Sequence, residues 1–368
     1  MVWCAALVAA AVAFGWLWSG SDYANTSLQT AAVDSTQPPD AAPPSQVSVR
    51  WSEPSGPTAA GAVQDGTVIV GDPNGLRGLD PATGDERWHY RRTTAQLCDW
   101  TTEDGVVVAA FRSGDGCDEA LALDAGTGAR VWYRNVSLAD EAGLSSTNQL
   151  TVAATPTGLT AFGTTYNGLR WRYRPPENCR IADSRAGDVG VAVVLDCSAV
   201  PSLVLLDGFS GESKWTGVLP PGPARIVTAG GVVAVLATDL TGALQVFDRE
   251  GVLLVSLRDP SLVGSAGADP SALLVGSRLA LFTGSALVTV DTGAGAVAWV
   301  ATATTRPALL DAGLLVYDGT DFVQLDLRTG LAVRRIAVDG APPPVGAAVQ
   351  RIGARIVVSS ADGVTVYG

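Results

Sequence analysis

Few residues in this chain have types and spacings that could do chemistry. His89, in "RWHYRR", is the single histidine. A Ser-His-Asp relay would have to use it, and no Gly-x-Ser-x-Gly elbow supplies a nucleophile. Directly after Trp88, it reads as a surface residue. Five cysteines are present (Cys4, Cys98, Cys117, Cys179 and Cys197), but no Cys-x-x-Cys pair occurs, so a zinc ligand set is missing. The acidic stretches "GDGCDEA" (114–120) and "ADEAG" (139–143) lack the spacing of a calcium-binding EF-hand loop. Asn25-Thr-Ser and Asn135-Val-Ser match the glycosylation pattern, which is common by chance. No catalytic, cofactor-binding or metal-binding residue is assigned, and no cofactor is expected.

Arginine is the charged residue that clusters. Arg87, Arg91 and Arg92 surround Trp88, Arg130 and Arg134 flank Trp132, and Arg170, Arg172 and Arg174 flank Trp171. Two readings are open for this candidate basic docking rim. It is protective charge on edge strands, or a surface that docks phospholipid headgroups, an anionic wall polymer or an acidic protein. The net charge of −12 argues against nucleic acid as a partner.

The elements that position these residues recur. "LDPATGDERW" (79–88), "LDAGTGARVW" (123–132) and "LDGFSGESKW" (206–215) hold Asp, Gly four later and Trp eight later. Such a repeat, with a period of roughly 35 to 45 residues, signals one supersecondary unit used many times. Eight short apolar strands end at the Asp position: 76–80, 120–124, 159–163, 203–207, 244–248, 287–291, 322–326 and 364–368. The Trp position holds Trp88, Trp132, Trp171, Trp215 and Trp299, with Arg334 in the seventh unit. The eighth unit stops at Gly368, and "VSVRWSEP" (47–54) carries an orphan Trp51. A ring accounts for both, the N-terminal strand completing the last unit. The Asp accepts turn N–H groups, the Gly (Asn167 in the third unit) takes positive φ, and the Trp docks on the neighbouring sheet. The expected fold is all-β: an eight-bladed β-propeller of four-stranded antiparallel blades spanning 47–368.

In that arrangement Cys98 and Cys179 begin inner strands, while Cys117 and Cys197 end the strands beside them. Disulfides Cys98–Cys117 and Cys179–Cys197 follow, and they point to an oxidising compartment. Three loops leading into new units, 137–149, 259–272 and 339–350, emerge on the face that carries both disulfides and form a second candidate surface.

The Asp-x-x-x-Gly-x-x-x-Trp units resemble the tryptophan-docking repeats of the pyrroloquinoline quinone (PQQ)-dehydrogenase-like β-propellers. That resemblance covers about 49–368 and is sharpest in units one, two and four. It implies either quinone-dependent alcohol oxidation or a non-catalytic role like that of the scaffold lipoprotein of the outer-membrane β-barrel assembly machine. The quinone enzymes use an adjacent-cysteine disulfide and long insertions, and this sequence has no Cys-Cys pair and compact units. The non-catalytic branch is therefore expected, with a quinone- or small-ligand-binding propeller as the alternative.

Residues 2–18 are apolar throughout, the length of a minimal membrane-spanning helix. Residues 1–18 are read as one N-terminal transmembrane anchor, or else a signal peptide, and 19–46 as a disordered linker rich in Pro, Ser and Ala. No basic residue occurs between that run and Arg50, which places the propeller outside the cytoplasm, at the cell surface or on the periplasmic side. The combined expectation is a membrane-anchored, extracytoplasmic, non-enzymatic scaffold or accessory subunit of a cell-envelope complex, its partner an envelope or integral membrane protein.

Overall fold

The computed structural model describes residues 21–368 except 22, 34, 36, 57–60, 115, 137, 139–141, 199, 240, 266–268, 311 and 312. Short apolar strands alternate with tight turns along the whole chain. Among the described residues the only helical element is a single 3-10 turn, Pro260–Leu262. Each repeat is an antiparallel meander running from an inner strand to an outer one, as in Gln96–Glu103, Val106–Arg112, Glu119–Asp124 and Arg130–Asn135 of repeat 2.

Apolar side chains do not gather into one core. They form clusters between successive sheets, such as Trp132, Ala120, Ala122 and Phe162 between repeats 2 and 3. Other clusters lie between repeats 3 and 4, 4 and 5, 5 and 6, 6 and 7, and 7 and 8. The largest joins repeat 1 to repeat 2 on one side and to Val357, Val364 and Val366 of repeat 8 on the other. Every sheet thus buries both faces against its neighbours, and the neighbours close a ring.

The expectation of eight separate four-stranded sheets behind a membrane helix is corrected. Among the described residues there are seven sheets: five of four strands, one of five and one of eight. The closing strand Gln46–Pro54 accounts for the largest. It runs antiparallel to Gly363–Tyr367 through Val49–Pro54 and parallel to Ala332–Asp339 through Gln46–Ser48. Nine residues are enough to leave one neighbour and join another, so repeats 7 and 8 share a sheet.

The membrane-anchored location is corrected as well. Among the described residues no helix is long and apolar enough to cross a membrane. The run 2–18 that prompted that expectation lies outside the described residues.

Described residues of the 19–46 segment lie against the ring. Thr26–Gln29 forms a strand antiparallel to the outer strand of repeat 1, Glu86–Arg92, and supplies the fifth strand of that sheet. Beyond it, the Ala31 amide donates to Thr127 O at 2.9 Å. Ser35 Oγ donates to Asp65 O, Asp40 pairs with Arg351 at 2.8 Å, and Arg334 donates to Pro43 O. Its composition cannot bury a core, but its carbonyls and Asp40 find donors on the ring, so polar contacts order it.

Both disulfides form, Cys98–Cys117 and Cys179–Cys197, with Cα–Cα distances of 6.3 and 4.1 Å. Cys98 and Cys179 lie at the starts of inner strands, Cys197 ends the second strand of repeat 4, and Cys117 lies in the loop between the second and third strands of repeat 2.

Candidate interaction surfaces

The tryptophans set the geometry of the rim. Each indole Nε1 donates to a main-chain oxygen of the next repeat's turn. Trp51 reaches Pro81, Trp88 Ala125, Trp132 Thr164, Trp171 Gly208, Trp215 Arg249 and Trp299 Leu327, at 2.8–3.3 Å. Trp51 on the turn of repeat 1 closes the circle. The turn glycine answers two demands at once. Gly128 has φ +73°, and a Cβ there would lie 2.6 Å from the Trp88 ring. Asn167 departs from this rule. It is not among the positive-φ residues, and its Nδ2 donates instead to Tyr133 O at 2.9 Å.

The eight arginines of the predicted rim have different fates. In repeat 1 they are used up. Arg87 donates to Val33 O, Arg91 pairs with Glu86 at 2.6 Å, and Arg92 is buried in an ion pair with Glu119 of repeat 2. Arg170 lies between the Tyr166 and Phe209 rings, 5.4 and 5.3 Å from their centroids. Arg130, Arg172 and Arg174 are exposed and Arg134 is half-buried. Arg134 donates to Asn167 Oδ1 at 3.4 Å, and none of these four forms an ion pair among the described residues.

His89 is a second departure. It is only 8% exposed, covered by the N-terminal strand. Its Nε2 lies 2.8 Å from Ser27 Oγ and its Nδ1 2.6 Å from Glu86 Oε1. Hydroxyl, imidazole and carboxylate follow the order of a nucleophile–base relay. Ser27, however, sits mid-strand on a sheet edge and lines none of the cavities described below. The relay is a clasp for the strand. Ser27→Ala is expected to speed amide exchange at Thr26–Gln29, and a fluorophosphonate ester is expected to leave Ser27 unlabelled. Covalent labelling there, read by mass spectrometry, would make the relay a hydrolytic site.

A cavity of about 860 Å³ occupies the centre of the ring, where inner strands of repeats 1, 4, 6, 7 and 8 converge. Arg185, Arg306, Arg351, Gln64 and Gln350 line it, and Gln37 and Asp40 of the N-terminal segment reach its wall. Arg306 is paired with Asp269 at 2.9 Å. Smaller cavities of about 310 and 390 Å³ lie around Asp188, on the face of the Asp–Gly turns. Among the described residues no group of three or more His, Cys, Asp or Glu could hold a metal ion.

A family model described as "Outer membrane protein assembly factor BamB" matches residues 44–171. BamB from Moraxella catarrhalis superposes with a TM-score of 0.54 at 17% identity, over 87% of this chain and 99% of that one. The computationally designed protein Ika8 does so at 0.62 and 15% identity, over 87% and 98%. A europium-containing methanol dehydrogenase does so at 0.53 and 12%, over 86% and 85%. The fold is that of a β-propeller. No curated protein sequence matches the chain.

The propeller also uses two residues that the sequence did not single out. Asp99 and Asp183 stand at irregularities in the inner strands of repeats 2 and 4. Each reaches into the next repeat's inner strand. Asp99 Oδ2 accepts the Leu144 amide at 2.7 Å and Asp183 Oδ2 the Ile226 amide at 2.7 Å. An Asp inside an alternating inner strand was the available signal. Burial pushes both carboxyl groups above the ordinary aspartate value, against the pull of the amides they accept. A carboxyl with a raised folded pKa holds its proton more tightly when folded. That contribution is complete below about pH 4 and is lost as pH rises through the folded pKa. Relative to the Asp99→Asn, Asp183→Asn variant, the wild type is expected to lose stability as pH rises from about 4 towards neutrality. Urea midpoints across that range measure it, and parallel profiles would refute it.

Of the three long loops, only part behaves as a loop. Gly143–Ser146 is the inner strand of repeat 3, Ser271–Val275 that of repeat 6 and Ala348–Ile352 that of repeat 8. Residues 137, 139–141 and 266–268 lie outside the described residues.

Proposed function

We propose that this propeller is a non-catalytic protein-interaction scaffold, an accessory subunit of a complex whose partner is an envelope or integral membrane protein. The observation that carries this reading is the split fate of the rim. Repeat 1 spends its arginines internally, whereas repeats 2 and 3 hold four exposed or half-buried guanidinium groups with no carboxylate partner among the described residues, on a protein of net charge −12. Such groups attract an anionic surface at a distance and fix its register at contact. The match to the BamB family model over 44–171 supports the same class of role, because it covers repeats 1 and 2 and most of repeat 3.

Crosslinking of a tagged chain in native membranes, followed by mass spectrometry, tests the proposal. One abundant partner linked through the rim or the loop face is the expected result. Recovery of no partner would overturn it. A second reading, a small ligand in the central cavity, is favoured by the three arginines that line it. Titration with quinone and calcium separates the two readings: a stoichiometric absorbance change would support the ligand-binding propeller.

A further inference from the structure

The chain already contains one extended segment docked on an outer strand. Thr26–Gln29 adds antiparallel to Glu86–Arg92, with Ser27 opposite Arg91 and Gln29 opposite His89. The Thr93 amide donates to Asn25 O at 3.0 Å, so the alternation of an antiparallel ladder makes the Ser27–Arg91 and Gln29–His89 pairs the hydrogen-bonded ones.

The outer strand of repeat 3, Leu169–Tyr173, occupies the same place in its repeat, and among the described residues no further strand pairs with its outer edge. Aligning the two strands on Trp88 and Trp171 puts Arg172 where His89 stands and Arg174 where Arg91 stands. Pro175 replaces Arg92, which faces Thr26 in a pair that makes no ladder hydrogen bond to the added strand. An added strand is therefore tolerated there. Residues two apart on it would lie opposite Arg174 and Arg172.

Arg172 faces the groove between repeats 2 and 3, and Arg174 follows Tyr173, the last residue of the strand. Arg172 is opposite Thr160, on the side of Phe162, which packs against Trp132 at 5.6 Å between centroids. Arg134 is opposite Ala120, which lies in the same interface cluster, so it enters the groove from the other wall. None of the three has a carboxylate partner among the described residues, and the strand beside them is the last of its sheet there.

We infer that the outer edge of repeat 3 is a strand-addition site for an extended acidic segment of a protein partner. Such a segment carries carboxylates at alternate positions, opposite Arg174 and Arg172, with Arg134 across the groove. Main-chain hydrogen bonds supply attachment and the alternate side chains supply selection. This rests on the scaffold reading and names the chemistry of its partner.

Three labelled peptides test it against the purified full chain by fluorescence anisotropy. One has a Glu-x-Glu core flanked by β-branched residues, one has the two Glu adjacent, and one is the Glu-x-Glu peptide N-methylated on its ladder amides. The Glu-x-Glu peptide is expected to bind most tightly. Arg172→Glu with Arg174→Glu should weaken it by about tenfold or more, and Arg258→Glu on repeat 5 should leave it unchanged. Equal binding of the three peptides, no binding of any, or indifference to the double reversal would overturn the site. So would binding to phosphatidylglycerol vesicles that the Glu-x-Glu peptide does not compete with. A crosslinked partner that still associates with the double variant would remove this site and leave the scaffold reading standing.

Discussion

Trp88→Ala is expected to cost about 3–5 kcal/mol of unfolding free energy, because it empties a fully buried site between two sheets. The loss has two parts. The ring is packed against the glycine of the next repeat's turn, and its Nε1 satisfies Ala125 O at 3.0 Å. Gly128→Val separates them. In the wild type it collides with the indole, since a Cβ would meet the ring at 2.6 Å, and it strains a backbone held at φ +73°. In the Trp88→Ala background the collision is gone and only the backbone strain remains, about 1–2 kcal/mol. The double-mutant cycle should therefore show strong coupling between two residues 40 positions apart. Denaturant midpoints for the four proteins measure it, and additive losses would mean that the Trp–Gly clasp does not join the repeats.

Glu119→Ala is expected to be comparably costly, about 3–5 kcal/mol, because it removes one half of a buried ion pair. Arg92 is 1% exposed and Glu119 7%, and their pair joins the outer strand of repeat 1 to the third strand of repeat 2. Replacing both with apolar residues of similar volume, Arg92→Met with Glu119→Leu, should recover most of the loss, since both charges of the pair are then removed together. Thermal unfolding of the single and double variants decides it. A double variant as unstable as the single would show that shape, and not charge, is what this contact supplies. Charge reversal at Arg92 should thus appear as instability, whereas reversal at Arg172 and Arg174 should appear as lost binding to an intact ring. That contrast divides the arginine rim into a structural part and a recognition part.

The division explains how much of the candidate site was legible in the chain. All eight arginines flank a docking tryptophan, so sequence places them on outer strands with equal claim to the surface. What removes Arg87 from it is the N-terminal segment, through Val33 O, while Glu86 and Glu119 take Arg91 and Arg92; the Pro, Ser and Ala content of that segment gives no periodic signal. The same segment buries the lone histidine and turns an apparent surface residue into a clasp.

The sequence alone determined the repeat, because Asp, Gly and Trp at fixed offsets satisfy local requirements. Asp80 Oδ1 accepts the Ala82 amide at 2.7 Å within its own turn, and the turn glycine needs a positive φ whatever surrounds it. It determined the disulfide pairs too, since antiparallel neighbours bring the start of one strand beside the end of the next. Tertiary structure alone decided which sheets merge, where the N-terminal segment lies and which arginines keep a free face. Those outcomes depend on contacts between residues tens to hundreds of positions apart, such as Gln46 with Ala337 and Arg351 with Asp40. No local spacing encodes them, because each is a competition between water and one particular distant partner.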